Sequence, residues 1–217
     1  MKYDIAIIGL GTFGFDLAVR LAQEGHGILA IDIDEKKIND IKDFVPVAVQ
    51  ADVTDKDVLE KLEIDKFDKV IFGMSSALET IILSITHMKK MKVKYIIGKA
   101  NTYIKKEILL KIGADKVVLP EISTAIRLAE KISHPTILER YELDKNNSLL
   151  EVEIPNKFVG KTLSQLDLRR KYGINVVMKK DNIKTEVISN PNLDFKHGDI
   201  VFVIGSVAVI EKIFMES

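Results

Sequence analysis

Residues 3–34, YDIAIIGLGTFGFDLAVRLAQEGHGILAIDID, carry the pattern that decides the fold of this chain. An apolar run ends at Gly9, two more glycines follow at Gly11 and Gly14, and a second apolar run ends in Asp32. Between the runs, apolar residues recur every four positions, which is the period of a helix. A strand, a glycine-rich turn, a helix and a second strand ending in an acid predict a dinucleotide-binding βαβ unit.

Each glycine of this turn has its own expected role. Gly9 permits the tight turn from strand to helix, Gly11 lets the backbone approach a pyrophosphate, and Gly14 allows the helix to pack closely on the strand. Asp32 stands near the spacing expected of the acid that binds the ribose, and its charge disfavours a 2′-phosphate. The alternative is a glycine-rich turn without a ligand. Asp34 and Lys37 are either ribose neighbours or the polar start of the next helix.

The composition excludes several classes of function. The chain has 217 residues with 32 basic and 32 acidic side chains, so no basic excess points to nucleic acid. Cysteine is absent, which excludes disulfides, thiol nucleophiles and thiolate metal sites and agrees with a cytoplasmic location. Met1 and Lys2 lead straight into a strand pattern, so we expect no signal peptide. No apolar run approaches the ~20 residues that span a bilayer, so any action at a membrane requires a partner.

The pattern of elements predicts two domains. Six short apolar runs alternate with helical stretches over roughly residues 1–120, which predicts an α/β fold with a Rossmann-like, doubly wound parallel sheet. We place this first domain at 1–133, including a helix at 121–133 that leads out of it. A linker is expected at 134–147, because Pro135 disfavours helix continuation. The remaining residues, 148–217, predict a small α+β domain, in which KTLSQLDLRRKYG is expected to form a short amphipathic helix stopped by Gly173.

Further candidates lie where the later strands of the first domain end. Asp52, after the third strand, is expected either at the adenine edge or as a helix cap. Lys99, at the end of the fifth strand, is expected to meet a phosphate or a carboxylate of the site, or else to be solvated. Glu121 suits either a helix N-terminus or a cation ligand. The other residues expected at the nucleotide are Thr12, Phe13, Val53, Thr54, Met74 and Ser75. The stretch GMSSA, residues 73–77, resembles a nucleophile elbow but lacks a matching acid and histidine.

At this level of detail the chain resembles the family of RCK domains, the regulators of K⁺ conductance, of the KtrA/TrkA type. The segments that carry the resemblance are IIGLGTFG, AIDID, QADVTD, KANTYIKKEILLKIGADKVVLPE, VGKTLSQLDLRRKYGINVV and HGDIVFVIG. The resemblance spans essentially the whole chain. It implies a nucleotide-binding RCK N-lobe, a small RCK C-lobe, and homodimers assembled as an octameric ring beneath a membrane potassium channel subunit of the KtrB/TrkH type. ATP, ADP or NAD(H) in the N-lobe would change the ring and so the channel opening.

The resemblance also implies roles for individual residues. The three glycines would hold the phosphates, with Asp32 at the ribose, Asp52 on the adenosine side and Lys99 in the crevice. Glu121 would hold a divalent cation or Na⁺ near the terminal phosphates at the dimer interface. One position departs from the family pattern, since ATP-responsive members carry an arginine where this chain has Thr12. Thr12 supplies no charge for a γ-phosphate, so ATP, ADP, AMP and NAD(H) all remain open.

A second ligand is implied for the C-lobe, because several relatives bind cyclic di-AMP there. The matching positions are Leu163, Ser164, Arg169, Asn175 and Pro191. Arg169 is suited to a phosphate. The alternative is that Arg169 and Arg170 form a solvated helix end.

Two functions from different classes follow from these observations. The first is a cytoplasmic, non-enzymatic regulatory subunit, peripheral to the membrane through its channel partner, in which the nucleotide shifts the population of ring states. The second is an NAD-dependent oxidoreductase with a small second domain. A dehydrogenase needs an acid or base at the nicotinamide, and the sequence offers no candidate, so the regulator is favoured. A DNA-binding sensor would need a basic reading element, which is absent.

Overall fold

The fold is described from a computed structural model, in which residues 4–133, 137–181 and 184–215 are described. The chain divides into two compact units, Met1–Ala125 and Ile126–Ser217. We refer to them as the N-unit and the C-unit.

The N-unit is built on a six-stranded parallel sheet with the order β3-β2-β1-β4-β5-β6. Its strands are β1 (Asp4–Ile8), β2 (Gly27–Asp32), β3 (Val47–Gln50), β4 (Lys69–Phe72), β5 (Ile96–Lys99) and β6 (Lys116–Val118). The order reverses between β1 and β4, so a crevice opens at the carboxyl ends of these two strands, where such sheets bind ligands. The predicted Rossmann-like sheet is confirmed.

Helices cover both faces of this sheet, because successive strand residues point to opposite faces and both sets are apolar. They are α1 (Thr12–Gln23), α2 (Glu35–Ile41), α3 (Lys56–Lys61), α4 (Leu78–Lys90) and α5 (Tyr103–Lys111). Ala6 and Ile8 of β1 belong to one buried cluster, while Ile5 and Ile7 belong to the cluster on the other face. The apolar composition of the strands is therefore what fixes the sheet between two layers of helix.

The division between the units falls inside a single helix, α6 (Pro120–Ser133). The sequence predicted this helix at 121–133. Its apolar side chains are unusually exposed for a helix of this length, with Ile126, Leu128 and Ile132 accessible to 49%, 57% and 70%. This helix thus offers apolar surface that its own described surroundings do not cover.

The C-unit contains a five-stranded sheet with the order β10-β9-β11-β8-β7, paired antiparallel throughout. Its elements are β7 (Ile137–Glu142), β8 (Asn147–Glu153), α7 (Leu163–Leu166), α8 (Leu168–Tyr172), β9 (Asn175–Lys180), β10 (Thr185–Val187), β11 (Ile200–Ser206) and α9 (Val207–Met215). One core cluster joins the sheet to α9, and Phe158 packs edge-on to Phe214 within it, with ring centroids 5.4 Å apart. The predicted small α+β unit is confirmed.

The predicted linker at 134–147 is corrected by the structure. Residues 134–136 lie outside the described part of the chain, but Ile137–Glu142 forms strand β7, which pairs with β8. A turn joins the two strands, and the Asp144 carboxylate accepts from the backbone amides of Asn146 and Asn147 at 2.8 Å each. The strand was missed because it lies at the sheet edge, and half of its six residues are charged and interrupt the apolar alternation.

The predicted helix over KTLSQLDLRRKYG is also divided in the structure. Asp167 adopts a left-handed conformation with φ of 48° and separates α7 from α8. Thr162 begins α7 with a capping box that it shares with Gln165, and Gly173 ends α8 as the sequence predicted. Two short helices therefore replace one amphipathic helix.

Candidate functional site

The glycine turn places a free helix N-terminus in the crevice. Gly9 has a φ of +87°, a left-handed conformation that glycine adopts without strain. Gly11 caps α1, and no side chain accepts a hydrogen bond from the first turn of the helix. The amides of this turn are therefore available to an anionic ligand, and the helix dipole adds a partial positive charge.

The three glycines differ in what surrounds them. A Cβ on Gly14 would lie 2.0 Å from the Gly9 carbonyl oxygen, and one on Gly73 would lie 2.4 Å from the same atom. Both positions are therefore closed to larger residues by the packing of α1 against β1 and β4. A Cβ on Gly11 would meet no protein atom within 4 Å, so the space over this residue is open. The need for glycine at 73 was not predicted, since it arises from a strand far away in sequence.

The turn forms one wall of an open cavity of about 670 Å³ at the carboxyl ends of the strands. Of the residues predicted for the nucleotide or the cation, it brings together Gly9, Gly11, Thr12, Phe13, Asp32, Lys37, Met74, Ser75, Lys99 and Glu121. It adds four that were not predicted for the nucleotide or the cation: Asp16, Ile33, Gly73 and Ser76. Asp16 lies one turn after Thr12 on α1, and this i, i+4 spacing is the signal that would have found it.

Asp32 is buried at 7% exposure and is held by three donors. Its Oδ2 accepts from the Leu10 amide at 2.7 Å and from Lys37 Nζ at 3.0 Å, and its Oδ1 accepts from the Asp34 amide at 3.0 Å. Burial alone raises the pKa of Asp32, but the two backbone amides and the Lys37 ammonium outweigh it, and the pKa is lowered. Asp32 is thus a fixed, ionised acceptor in the cavity wall.

Lys99 and Glu121 form an ion pair within the cavity lining. Lys99 Nζ lies 2.6 Å from Glu121 Oε1 and 5.3 Å from the centre of the Phe13 ring. The lysine side chain is 10% exposed, whereas the glutamate side chain is 59% exposed. The hydrogen bond from Lys99, followed by that from its own backbone amide, lowers the pKa of Glu121. A ligand phosphate that approaches Lys99 would therefore compete with this carboxylate.

Five of the predicted nucleotide residues do not line the cavity: Gly14, Asp34, Asp52, Val53 and Thr54. Asp34 caps α2 by accepting from the Lys36 amide. The Asp52 carboxylate accepts from the Thr54 amide at 2.9 Å and from its hydroxyl at 2.7 Å, and these bonds lower the pKa of Asp52. The side chain of Val53 is buried in the core.

The cap of α3 is Asp55, so Asp52 does not take the capping role that the sequence had offered it. Asp52 nonetheless stays exposed at the end of the third strand. Its contact with adenosine remains a prediction.

The cation site expected at Glu121 is not supported by a cluster of metal-ligating side chains in the described part of one chain. In the described segments, no three His, Cys, Asp or Glu side chains converge in a way that would hold a metal ion. The Glu121 carboxylate is instead occupied by Lys99. A cation at Glu121 therefore remains a prediction for an assembled form of the protein.

A second cavity, of about 270 Å³, lies in the C-unit beside α7 and α8. It brings together all five residues that the resemblance had pointed to for cyclic di-AMP: Leu163, Ser164, Arg169, Asn175 and Pro191. Both the amide and the hydroxyl of Ser164 donate to the Pro191 carbonyl, at 2.9 and 3.1 Å, which ties α7 to the loop after β10. Arg170, rather than Arg169, pairs with Asp167. Arg169 therefore lines this cavity without forming an ion pair with Asp167.

Known family models match both parts of the chain. The TrkA-N domain model matches residues 5–120, and the TrkA-C domain model matches residues 149–216. The chain belongs to the TrkA-N/TrkA-C family. The resemblance to the regulators of K⁺ conductance is thereby confirmed.

Similar proteins agree with this membership. The Ktr system potassium uptake protein C of Bacillus subtilis is 38% identical over 98% of this chain and 96% of its own length. The Ktr system potassium uptake protein A of Vibrio alginolyticus is 32% identical over 92% of this chain and 91% of its own. The structure of the GsuK channel bound to NAD matches with a TM-score of 0.67 and 15% identity. That match covers 100% of this chain and 40% of the channel chain, and it bears on the fold alone.

The length and apolar character of the helices bear on whether they could cross a membrane. Among the residues that the structure describes, none of the helices combines the length and apolar character that crossing a bilayer requires.

Proposed function

We propose that this chain is a nucleotide-binding regulatory subunit that gates the membrane subunit of a Ktr-type potassium uptake system. The observation that carries the proposal is the end-to-end similarity to two Ktr proteins, at 38% and 32% identity with more than nine-tenths of each relative covered. Because the similarity extends over both domains, we expect the arrangement of these relatives here too, with a ligand-binding lobe and a second lobe attached to it. The chain would act from the cytoplasmic side, through a membrane partner of the KtrB/TrkH type.

The cavity of the N-unit supports an adenine nucleotide as the signal. Open space over Gly11 and uncapped amides at the start of α1 suit a phosphate. The fixed, ionised Asp32 carboxylate suits ribose hydroxyls, which are hydrogen-bond donors. Its charge opposes a 2′-phosphate, so NAD(H) is favoured over NADP(H).

The charges that line the cavity affect which nucleotide it would bind. Three carboxylates, of Asp16, Asp32 and Glu121, face two lysines, and each lysine already pairs with one of them. Because Thr12 is uncharged, nothing in this lining is dedicated to a γ-phosphate. NAD(H), AMP or ADP is therefore favoured over ATP, unless a cation accompanies the triphosphate.

Nucleotide binding would affect the channel through self-association of this chain. Leu128 and Ile132 lie one turn apart on α6 and form an exposed apolar patch that a second copy of the chain would bury, and Ile126 is exposed on another face of the same helix. Glu121 begins the same helix and pairs with Lys99 in the cavity. A phosphate that takes Lys99 would free Glu121 for a cation, which couples occupancy to the start of α6. Assembly into an octameric ring is the expected outcome.

An NAD-dependent oxidoreductase is the competing function. Hydride transfer requires a residue that gives or takes a proton beside the nicotinamide. The described lining of the cavity contains neither histidine nor tyrosine, and Lys99 is committed to Glu121. We therefore favour a role without catalysis.

Thermal unfolding with ATP, ADP, AMP, NAD⁺, NADH and cyclic di-AMP, one ligand at a time, tests the signal. At least one adenine nucleotide should raise the melting temperature in a concentration-dependent way. Potassium uptake by cells that carry a KtrB-type subunit, with and without this chain, tests the partner. Uptake that is indifferent to the chain would refute the regulatory role, and turnover of a hydroxy-acid substrate with NAD⁺ would favour the oxidoreductase.

A further inference from the structure

Four lysines of the C-unit line a cavity that no part of the proposed function uses. The cavity measures about 1020 Å³ and opens to solvent between α8, α9 and the loop before α7. It is separate from the cavity that contains Arg169, and the α7–α8 segment divides the two. Its volume lies at the upper end of the ~300–1,000 Å³ range that is usual for small-ligand sites.

Four lysines line this cavity, and none of the lining residues is acidic. They come from four different places in the chain: Lys157 from a short 3-10 turn, Lys161 from a loop, Lys171 from α8 and Lys212 from α9. The whole chain carries equal numbers of basic and acidic residues. Around this cavity, however, all the charged residues of the lining are basic. Like charges gathered around one concave surface repel each other unless an anion balances them.

Several other lysines of the C-unit are paired with carboxylates. Lys179 is buried with Asp199 at 2.7 Å, and Lys184 pairs with Glu186 at 2.7 Å. By contrast, Lys161 and Lys212 make no ion pair with any residue in the described segments. These two ammonium groups are therefore free to meet an external anion.

The floor of the same cavity is apolar. It is formed by core side chains of 8% exposure or less, namely Phe158, Leu166, Leu168 and Ile213. Tyr172 stands at the side with 49% exposure and offers a ring face for stacking. A cationic rim over an apolar floor fits a ligand with a charged head and a flat or apolar body.

We propose that this cavity binds a phosphate-bearing anion, with Lys161 and Lys212 at the phosphates and the body of the ligand against Tyr172 and the apolar floor. Lysine is a strong point-charge donor to phosphate, and two such contacts from separate elements would hold it in place. Phosphate of this kind comes either from a free small molecule or from the headgroup of an anionic lipid. The site is distinct from the glycine turn of the N-unit, so it would provide a second input to the same chain.

The absence of tryptophan from the chain makes a local test possible. Tyr172→Trp places a single indole at the cavity wall of the full-length protein, and its fluorescence reports on ligands there. Titration with inorganic tripolyphosphate is the first arm. Sedimentation with vesicles of phosphatidylcholine alone, or of phosphatidylcholine with phosphatidylglycerol, is the second. We expect a saturable response in at least one arm, and the arm that responds names the source of the phosphate.

The charge requirement is tested with matched variants in the Tyr172→Trp background. Lys161→Gln/Lys212→Gln should weaken binding about tenfold or more, since each contact involves a charged hydrogen bond. Lys145→Gln/Lys196→Gln removes the same charge from exposed positions outside the cavity and should leave binding unchanged. All four substitutions are at exposed side chains, so the melting temperatures should stay equal. No response in either arm, or an equal loss in both double variants, overturns the proposal.

A further control separates this site from the nucleotide cavity. The fluorescence response to tripolyphosphate should persist when Gly11→Ala is added, because that change lies in the other unit. A response abolished by Gly11→Ala would place the anion at the glycine turn and overturn the assignment. The proposal thus fails independently of the proposed nucleotide function.

Discussion

Replacing Gly11 with alanine separates binding from folding in this protein. Gly11 has φ of −70° and ψ of −179°, which alanine adopts without strain, and the added Cβ would meet no protein atom within 4 Å. Alanine at this position loses some helix-capping preference but also restricts the unfolded chain, and the two effects nearly cancel at about 1 kcal/mol each. The melting temperature should therefore move by no more than about 4 °C.

The same Cβ would occupy the space from which a phosphate contacts the first amides of α1. Displacing the phosphate removes one charged hydrogen bond, which is worth about 1.5–3 kcal/mol. The dissociation constant should therefore rise by about 10- to 150-fold. Isothermal titration calorimetry with the nucleotide that gives the largest thermal shift measures this change directly.

Gly14→Ala is the matched contrast. Its Cβ would lie 2.0 Å from the Gly9 carbonyl oxygen, so this variant should lose stability whether or not a ligand is present. Gly11→Ala with wild-type affinity and wild-type stability would refute the placement of phosphate on the helix N-terminus. Equal destabilisation by both variants would refute the packing argument.

Three further outcomes are expected from other parts of the structure. Because the pKa of Asp32 is lowered from its ordinary value of 3.8, the ionised carboxylate stabilises the fold at pH values above 3.8. This contribution to stability is lost as the pH falls through the pKa of Asp32 in the folded state. The stability advantage of the wild type over Asp32→Asn in urea unfolding should therefore shrink below about pH 4, and an advantage that grows there would contradict the assignment. Glu121→Gln removes both the expected cation ligand and the partner of Lys99, so melting curves of the nucleotide-bound protein should lose their dependence on divalent ions while nucleotide stabilisation itself persists. Lys179→Met isolates the buried Asp199 carboxylate and should cost about 3–5 kcal/mol in denaturant unfolding, part of which Asp199→Asn should restore if the pair is the cause.

The sequence was most informative where structure depends on local chemistry. The run from residue 3 to 34 predicted β1, the glycine turn, α1 and β2 because strand and helix periods and the need for glycine are read over a few residues. The same reasoning failed at β7, where an edge strand with three charged residues has no apolar alternation to read, and at Asp167, where one left-handed residue separates two short helices.

Contacts between residues far apart in the chain were decided by the tertiary structure alone. Lys99 and Glu121 were each placed near the crevice, but their pairing at 2.6 Å depends on how β5 lies beside the start of α6. The donors around Asp32 include the Leu10 amide, which the parallel pairing of β1 and β2 brings to within 2.7 Å.

The basic cavity of the C-unit has no sequence signature, because its lysines at 157, 161, 171 and 212 follow no common period. Sequence by itself therefore determined most of the elements and the glycine turn before α1. Packing decided which charges neutralise one another and which remain free for a ligand, since a charge pair depends on distances that only the folded chain sets.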